Sequence, residues 1–91
     1  MTETRREVVK ISNKRGLHAR ASAKLVECVA RFTSDITVTK EGQTVSGRSI
    51  MGLMMLAAGP GCEIAIDATG ADAEDAMVAI LALVEARFGE D

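Results

Sequence analysis

His18 is the only histidine in the 91-residue sequence. It follows Gly16 and Leu17, and Arg20 stands two residues beyond it. A neutral imidazole can accept a phosphoryl group on nitrogen. Its ordinary pKa is about 6.5, and the positive end of a helix opposes the cation. The apolar spacing after Ala19 predicts a helix that starts beside His18. The first N–H groups of a helix lack partners within it. Those of residues 19–22 are therefore expected to be open to phosphoryl oxygens. Arg20 adds a planar guanidinium matched to phosphate, and Gly16 gives the backbone freedom to bring the loop close. The plainer reading is a capping or surface histidine beside a solubilising arginine. Which ring nitrogen reacts stays open, because the partner of the other nitrogen decides it.

The elements that must position these residues are short. Residues 7–11 are β-branched and read as a first strand, and residues 12–16 as a polar loop. Ala21, Leu25, Val29 and Phe32 recur at helical spacing, opposite Lys24, Glu27 and Arg31, and predict an amphipathic helix over residues 19–32. Residues 35–40 alternate, with Ile36 and Val38 on one face and Thr37 and Thr39 on the other. Glu41-Gly42 signals a turn, and residues 44–46 pair back as a hairpin. Ser49 is placed to cap a short helix over residues 50–56, which Gly59-Pro60-Gly61 stops. Residues 63–68 alternate through Ile64 and Ile66, and Gly70 breaks that strand. Asp72 is expected to cap a last helix running to about Phe88, with Ala73, Met77, Ile80, Val84 and Phe88 facing the sheet. The order β-α-β-β-α-β-α implies an α+β fold: a four-stranded antiparallel sheet with helices on one face and water on the other.

The length allows one domain, residues 1–91, and one core. Trp and Tyr are absent and there are only two Phe, so the core is aliphatic and stacking on bases is not expected. A net charge of −2 leaves no footprint for nucleic acid. The polar, charged start and the short apolar runs predict neither a secretory signal nor membrane insertion, hence a cytoplasmic protein. Cys28 and Cys62 read as reduced thiols. No metal-ligand spacing is present, and no cofactor is expected.

Two segments carry a resemblance. Residues 16–23, Gly-Leu-His-Ala-Arg-Ala-Ser-Ala, resemble the active-site signature of the HPr family, the phosphocarriers of the bacterial phosphotransferase system. Residues 48–56, Arg-Ser-Ile-Met-Gly-Leu-Met-Met-Leu, resemble that family's serine-site signature at a fitting separation. The resemblance implies an open-faced β-sandwich from Glu7 to Phe88. It implies that His18 takes a phosphoryl group from phosphorylated Enzyme I, on Nδ1, and passes it to an Enzyme II component, with Arg20 steadying the oxygens. Phosphoenolpyruvate is then an upstream source, and the protein is a phosphoryl carrier rather than a stand-alone enzyme; a monomer is expected. Ser49 is implied as a regulatory site for HPr kinase/phosphorylase, and Ile50 and Met51 as a partner-docking surface.

A helix of residues 50–56 cannot turn all its apolar side chains inward, so Ile50 and Met51 are expected outside, and some of Leu53, Met54 and Leu56 inside. Two positions depart from the family pattern. Ala21 stands where proline is usual, which restores an N–H and keeps a good helix former. Arg15 stands where a small polar residue is common. It either brings a second positive charge towards the phosphoryl site or points into solvent. Two other functions fit the same residues: the same relay in a nitrogen-related regulatory branch, and a noncatalytic module that binds a partner through residues 50–56.

Overall fold

A computed structural model describes residues 3–90. Strand β1 (Glu3–Lys10) leads through a loop to helix α1 (Ala19–Val29), followed by β2 (Asp35–Lys40), β3 (Gln43–Ser46), α2 (Ile50–Met55), β4 (Glu63–Gly70) and α3 (Ala73–Glu85). A 3-10 turn, Arg87–Gly89, follows α3. The strands form one antiparallel sheet in the order β1-β4-β2-β3. This is the predicted element order and the predicted α+β fold.

Register divides the sheet into two faces. Ile36, Val38, Ile64, Ile66 and Ala68 are buried, and they join Leu25 and Val29 of α1, Leu53 of α2 and Met77, Ile80 and Val84 of α3 in one core. The opposite face is polar. Arg6 lies across from Asp67, which lies across from Thr37, which pairs with Ser46. Arg6 donates to Asp67 at 2.7 and 2.9 Å on this wet side. Glu41 and Gly42, at φ 50° and 81°, make the tight hairpin turn between β2 and β3.

Several boundaries differ from the sequence reading. β1 starts at Glu3 rather than residue 7, because Thr4, Arg5 and Arg6 pair with Thr69, Ala68 and Asp67. Those residues face solvent or charged partners, so they carry no apolar signal. Ile11 lies beyond the strand, buried, with its N–H on the Cys62 carbonyl. α1 ends at Val29, since Arg31 and Phe32 donate three residues back and tighten the chain. Ala57, at φ 52°, turns the chain after α2, before the glycine-proline segment is reached. Cys28 and Cys62 are free thiols.

Asp72 occupies the N-cap position of α3, yet its side chain makes no cap bond. The expected role is replaced by a longer-range one. Its carboxylate accepts from the N–H groups of Thr33 and Ser34, both at 2.9 Å, and from both hydroxyls. The loop after α1 is thereby tied to the start of α3. These donors, the Ser34 hydroxyl foremost, lower the Asp72 carboxyl from 3.8 to about 2. A depressed folded-state pKa stabilises the fold above the ordinary value, and this contribution is lost as pH falls through the folded one. Asp72→Asn is therefore expected to lower the melting temperature at neutral pH and to flatten its decline between pH 4 and pH 2, the window set by those two values. Melting curves across that range check this.

Candidate functional site around His18

The loop before α1 is built around Gly16. Its N–H donates to the Asn13 carbonyl at 3.3 Å, and its φ of +62° closes a tight turn. A β-carbon there would lie 2.1 Å from the Ala58 carbonyl oxygen, so only glycine lets the loop press against residues 58 and 59. Leu17 is buried and donates its N–H to that same carbonyl at 2.9 Å. The chain thus reaches His18 with little freedom.

His18 is the N-cap residue of α1, with extended backbone angles and no side-chain cap bond. Its carbonyl accepts from Ser22 N–H at 2.9 Å. That takes one of the four N–H groups expected to be open. Those of Ala19, Arg20 and Ala21 have no partner among the described residues. Ala21 is fully buried and supplies one of them, and the helix forms without the usual proline.

The imidazole does not cap because it is held elsewhere. Nε2 lies 2.6 Å from Oε2 of Glu90, and both side chains are only 16 % exposed. Asn13, fully buried, donates from Nδ2 to Glu90 Oε1 at 3.0 Å and to the Gly16 carbonyl at 2.9 Å. The bond from Asn13, more than that from His18, holds the Glu90 carboxyl below the usual range, while burial works against this. An ionised carboxylate only accepts. The proton of the neutral ring therefore sits on Nε2, and Nδ1 keeps its lone pair.

Sequence reasoning missed Glu90 and Asn13. Glu90 is brought back by three consecutive left-handed residues, Arg87, Phe88 and Gly89. Phe88 plugs into the core and its carbonyl accepts from Lys24 Nζ at 2.6 Å. The predicted helix to Phe88 instead ends at Glu85, and Lys24, expected on the outer face of α1, is half-buried. The only sequence signal was Gly89, which favours a reversal after a helix.

Arg20 is exposed in the first turn of α1 and makes no hydrogen bond or ion pair among the described residues. It shares a surface hollow with Lys24, Gly89 and Glu90. Ser49 caps α2, its Oγ accepting from Gly52 N–H at 2.9 Å. Ile50 is 40 % and Met51 is 70 % exposed, whereas Leu53 and Leu56 are buried. Met54, a candidate for the core, is also exposed. No hydrogen bond joins Ser49, Ile50 or Met51 to His18. The two regions meet through residues 57–59, which follow α2 and line a hollow with His18. Among the described residues no group of three histidine, cysteine or acidic side chains could hold a metal ion, and no helix is long and apolar enough to cross a membrane.

A family model described as "PTS HPr component phosphorylation site" matches residues 5–86. The chain belongs to the HPr family. Among curated HPr proteins it is 50 % identical to that of Cupriavidus necator over 80 residues, covering 88 % of this chain and 90 % of the relative. It is also 43 % identical to a phosphocarrier protein NPr from Shewanella violacea, covering 99 % of this chain and 98 % of that one. A crystal structure of HPr from Bacillus anthracis superposes with a TM-score of 0.85 at 44 % identity, over 89 % of this chain and 96 % of that one. The HPr-C-His structure from Thermoanaerobacter tengcongensis gives 0.92 at 39 % identity, over 96 % and 98 %. The HPr family is a family of phosphocarriers of the phosphotransferase system, and this chain shares its open-faced sheet.

Proposed function

We propose that residues 1–91 act as a single cytoplasmic carrier domain in which Nδ1 of His18 accepts a phosphoryl group from phosphorylated Enzyme I and passes it to an Enzyme II component. The observation that carries this reading is the 2.6 Å contact of Nε2 with Glu90, which leaves the Nδ1 lone pair free beside Ala19 and Arg20, exposed and unpartnered among the described residues, at the start of α1. In the transfer, the Nδ1 lone pair bonds to phosphorus as the donor's own phosphorus–nitrogen bond breaks. The leaving nitrogen keeps the electron pair of that bond. The His18 ring becomes an imidazolium with its proton still on Nε2, and the Glu90 carboxylate offsets the new charge. The reverse steps deliver the group onwards. The reading needs no metal or organic cofactor, and phosphoenolpyruvate enters only through Enzyme I.

Incubation with purified Enzyme I and labelled phosphoenolpyruvate tests the reading. The expected label is acid-labile and alkali-stable. No label, or an acid-stable one, contradicts it. Arg20 is assigned the phosphoryl oxygens, and Arg20→Ala is expected to slow transfer about 10- to 100-fold, the range for losing a charged hydrogen bond. Because Arg20 is exposed and without a partner among the described residues, the melting temperature is expected to hold. A parallel loss of folding would assign it a structural role.

Ile50 and Met51 are assigned to partner docking, which their exposure at the start of α2 supports. Ser49 is assigned to regulation by HPr kinase/phosphorylase. Phosphorylation there would add about −1.5 to −2 charges at neutral pH, tolerated by the helix start but opposed by an acidic or apolar partner. Kinase-dependent, acid-stable label is expected on the protein and lost in Ser49→Ala, which also loses about 1 kcal/mol of stability with the cap. Absence of label with an active kinase leaves Ser49 only as a cap.

Similarity to NPr over nearly the whole chain supports a second reading, the same step in a nitrogen-related regulatory branch. Purified Enzyme II acceptors from the two branches, offered the labelled carrier, separate them by which one takes the label.

A further inference from the structure

Arg15 lies on the Gly16 turn, three residues before His18. The turn is fixed on both sides: Asn13 holds it through the Gly16 N–H and carbonyl, and Leu17 is bonded to Ala58. Arg15 is exposed and makes no hydrogen bond or ion pair among the described residues. It lines a hollow of about 210 Å³ together with Leu17, His18 and residues 57–59. It also lines the neighbouring hollow of about 310 Å³, where Lys14, Arg20, Lys24 and Glu90 stand. Among the charged residues of these two hollows, only Arg15 borders both.

Two of the other charges there are committed. Lys24 donates to the Phe88 carbonyl, and Glu90 is taken by Asn13 and His18. The cations of Lys14, Arg15 and Arg20 remain uncommitted among the described residues, and of these only Arg15 also lines the hollow of the ring that the proposed function loads with a dianion. An arginine fork matches phosphoryl oxygens with two parallel donors.

We infer that Arg15 is a second cationic ligand of the phosphoryl group on His18, reaching it from the hollow walled by residues 57–59. This rests on the His18 reading and adds a residue to it. The contact exists only in the phosphorylated state, so it shifts the transfer equilibrium as well as the rate. A cation that merely steers an acidic partner speeds loading and unloading alike and leaves the equilibrium where it was.

The test measures the equilibrium of phosphoryl exchange between phosphorylated Enzyme I and the carrier, with both proteins dilute enough to be mostly uncomplexed. Arg15→Ala is expected to shift it about three- to tenfold towards the unphosphorylated carrier, the scale of one partly exposed charged hydrogen bond. Arg15→Lys is expected to recover part of the shift. Lys14→Ala removes an equal charge from a residue that borders the Arg20 hollow but not the His18 hollow, and is expected to leave the equilibrium unchanged. The phosphorus resonance of the carrier should move in Arg15→Ala and not in Lys14→Ala. An unchanged equilibrium in Arg15→Ala overturns the inference and leaves the His18 reading standing. Equal shifts in Arg15→Ala and Lys14→Ala also overturn it, by assigning the effect to net charge. Failure of the unmodified carrier to take label at all sinks the His18 reading and this inference together.

Discussion

A His18→Ala protein is expected to take up no label from phosphorylated Enzyme I while keeping its fold. The loss should be complete, because the chain holds no second histidine to substitute. Retention of the fold follows from how His18 is held. Its side chain gives α1 no cap bond, and the bond that starts the helix, from Ser22 N–H, goes to the His18 carbonyl, which alanine keeps. The variant loses the contact with Glu90, but that carboxylate retains Asn13 and some exposure to water. Its circular dichroism spectrum should therefore match that of the unmodified protein, with a melting temperature within a few degrees. Label at undiminished level in this variant would place the acceptor elsewhere and remove the basis of the proposed function.

Phe88→Ala is expected to have the largest effect on stability. Phe88 is completely buried in the core, and removing such a ring costs about 3–5 kcal/mol through lost transfer energy and the cavity left behind. A domain of this size has about 5–15 kcal/mol in total, so the variant should remain folded but close to its margin. The denaturant midpoint should fall sharply with little change in slope. A second consequence reaches the site. Arg87 and Phe88 hold left-handed angles, φ 56° and 55°, which cost energy unless the surroundings enforce them. The buried ring and the Lys24 bond to its carbonyl supply that enforcement. Without the ring, the turn that brings Glu90 to His18 should loosen, and the nitrogen resonances of His18 should move towards a mixture of tautomers. A stable Phe88→Ala protein with unchanged His18 resonances would show that the last residues position nothing.

Much of this was legible in the residues because local patterns and tertiary demands agreed. The Ile36 and Val38 alternation, the Ala21, Leu25 and Val29 stripe and the Ser49 cap each occur where expected. His18 and Arg20 could be singled out because the proposed function rests on residue type next to a helix start. What escaped depends on long-range contacts. Arg5 and Arg6 look like loop residues until β4 and α3 supply Asp67 and Glu74 as partners. Asp72 looks like an ordinary cap, yet it bonds a loop 38 and 39 residues away. Glu90 is 72 residues from His18, and only a turn through three left-handed residues unites them. No periodicity encodes such a reversal. Asn13 was hidden for the same reason: its role exists only once Glu90 arrives.

The most direct test of the account is to phosphorylate nitrogen-15-labelled protein with Enzyme I and locate the phosphorus by its coupling to the ring nitrogens. With Glu90 holding Nε2, the one-bond phosphorus–nitrogen coupling should appear on Nδ1 of His18 and on no other nitrogen. Coupling to Nε2, or a phosphoryl group on any other residue, would contradict it.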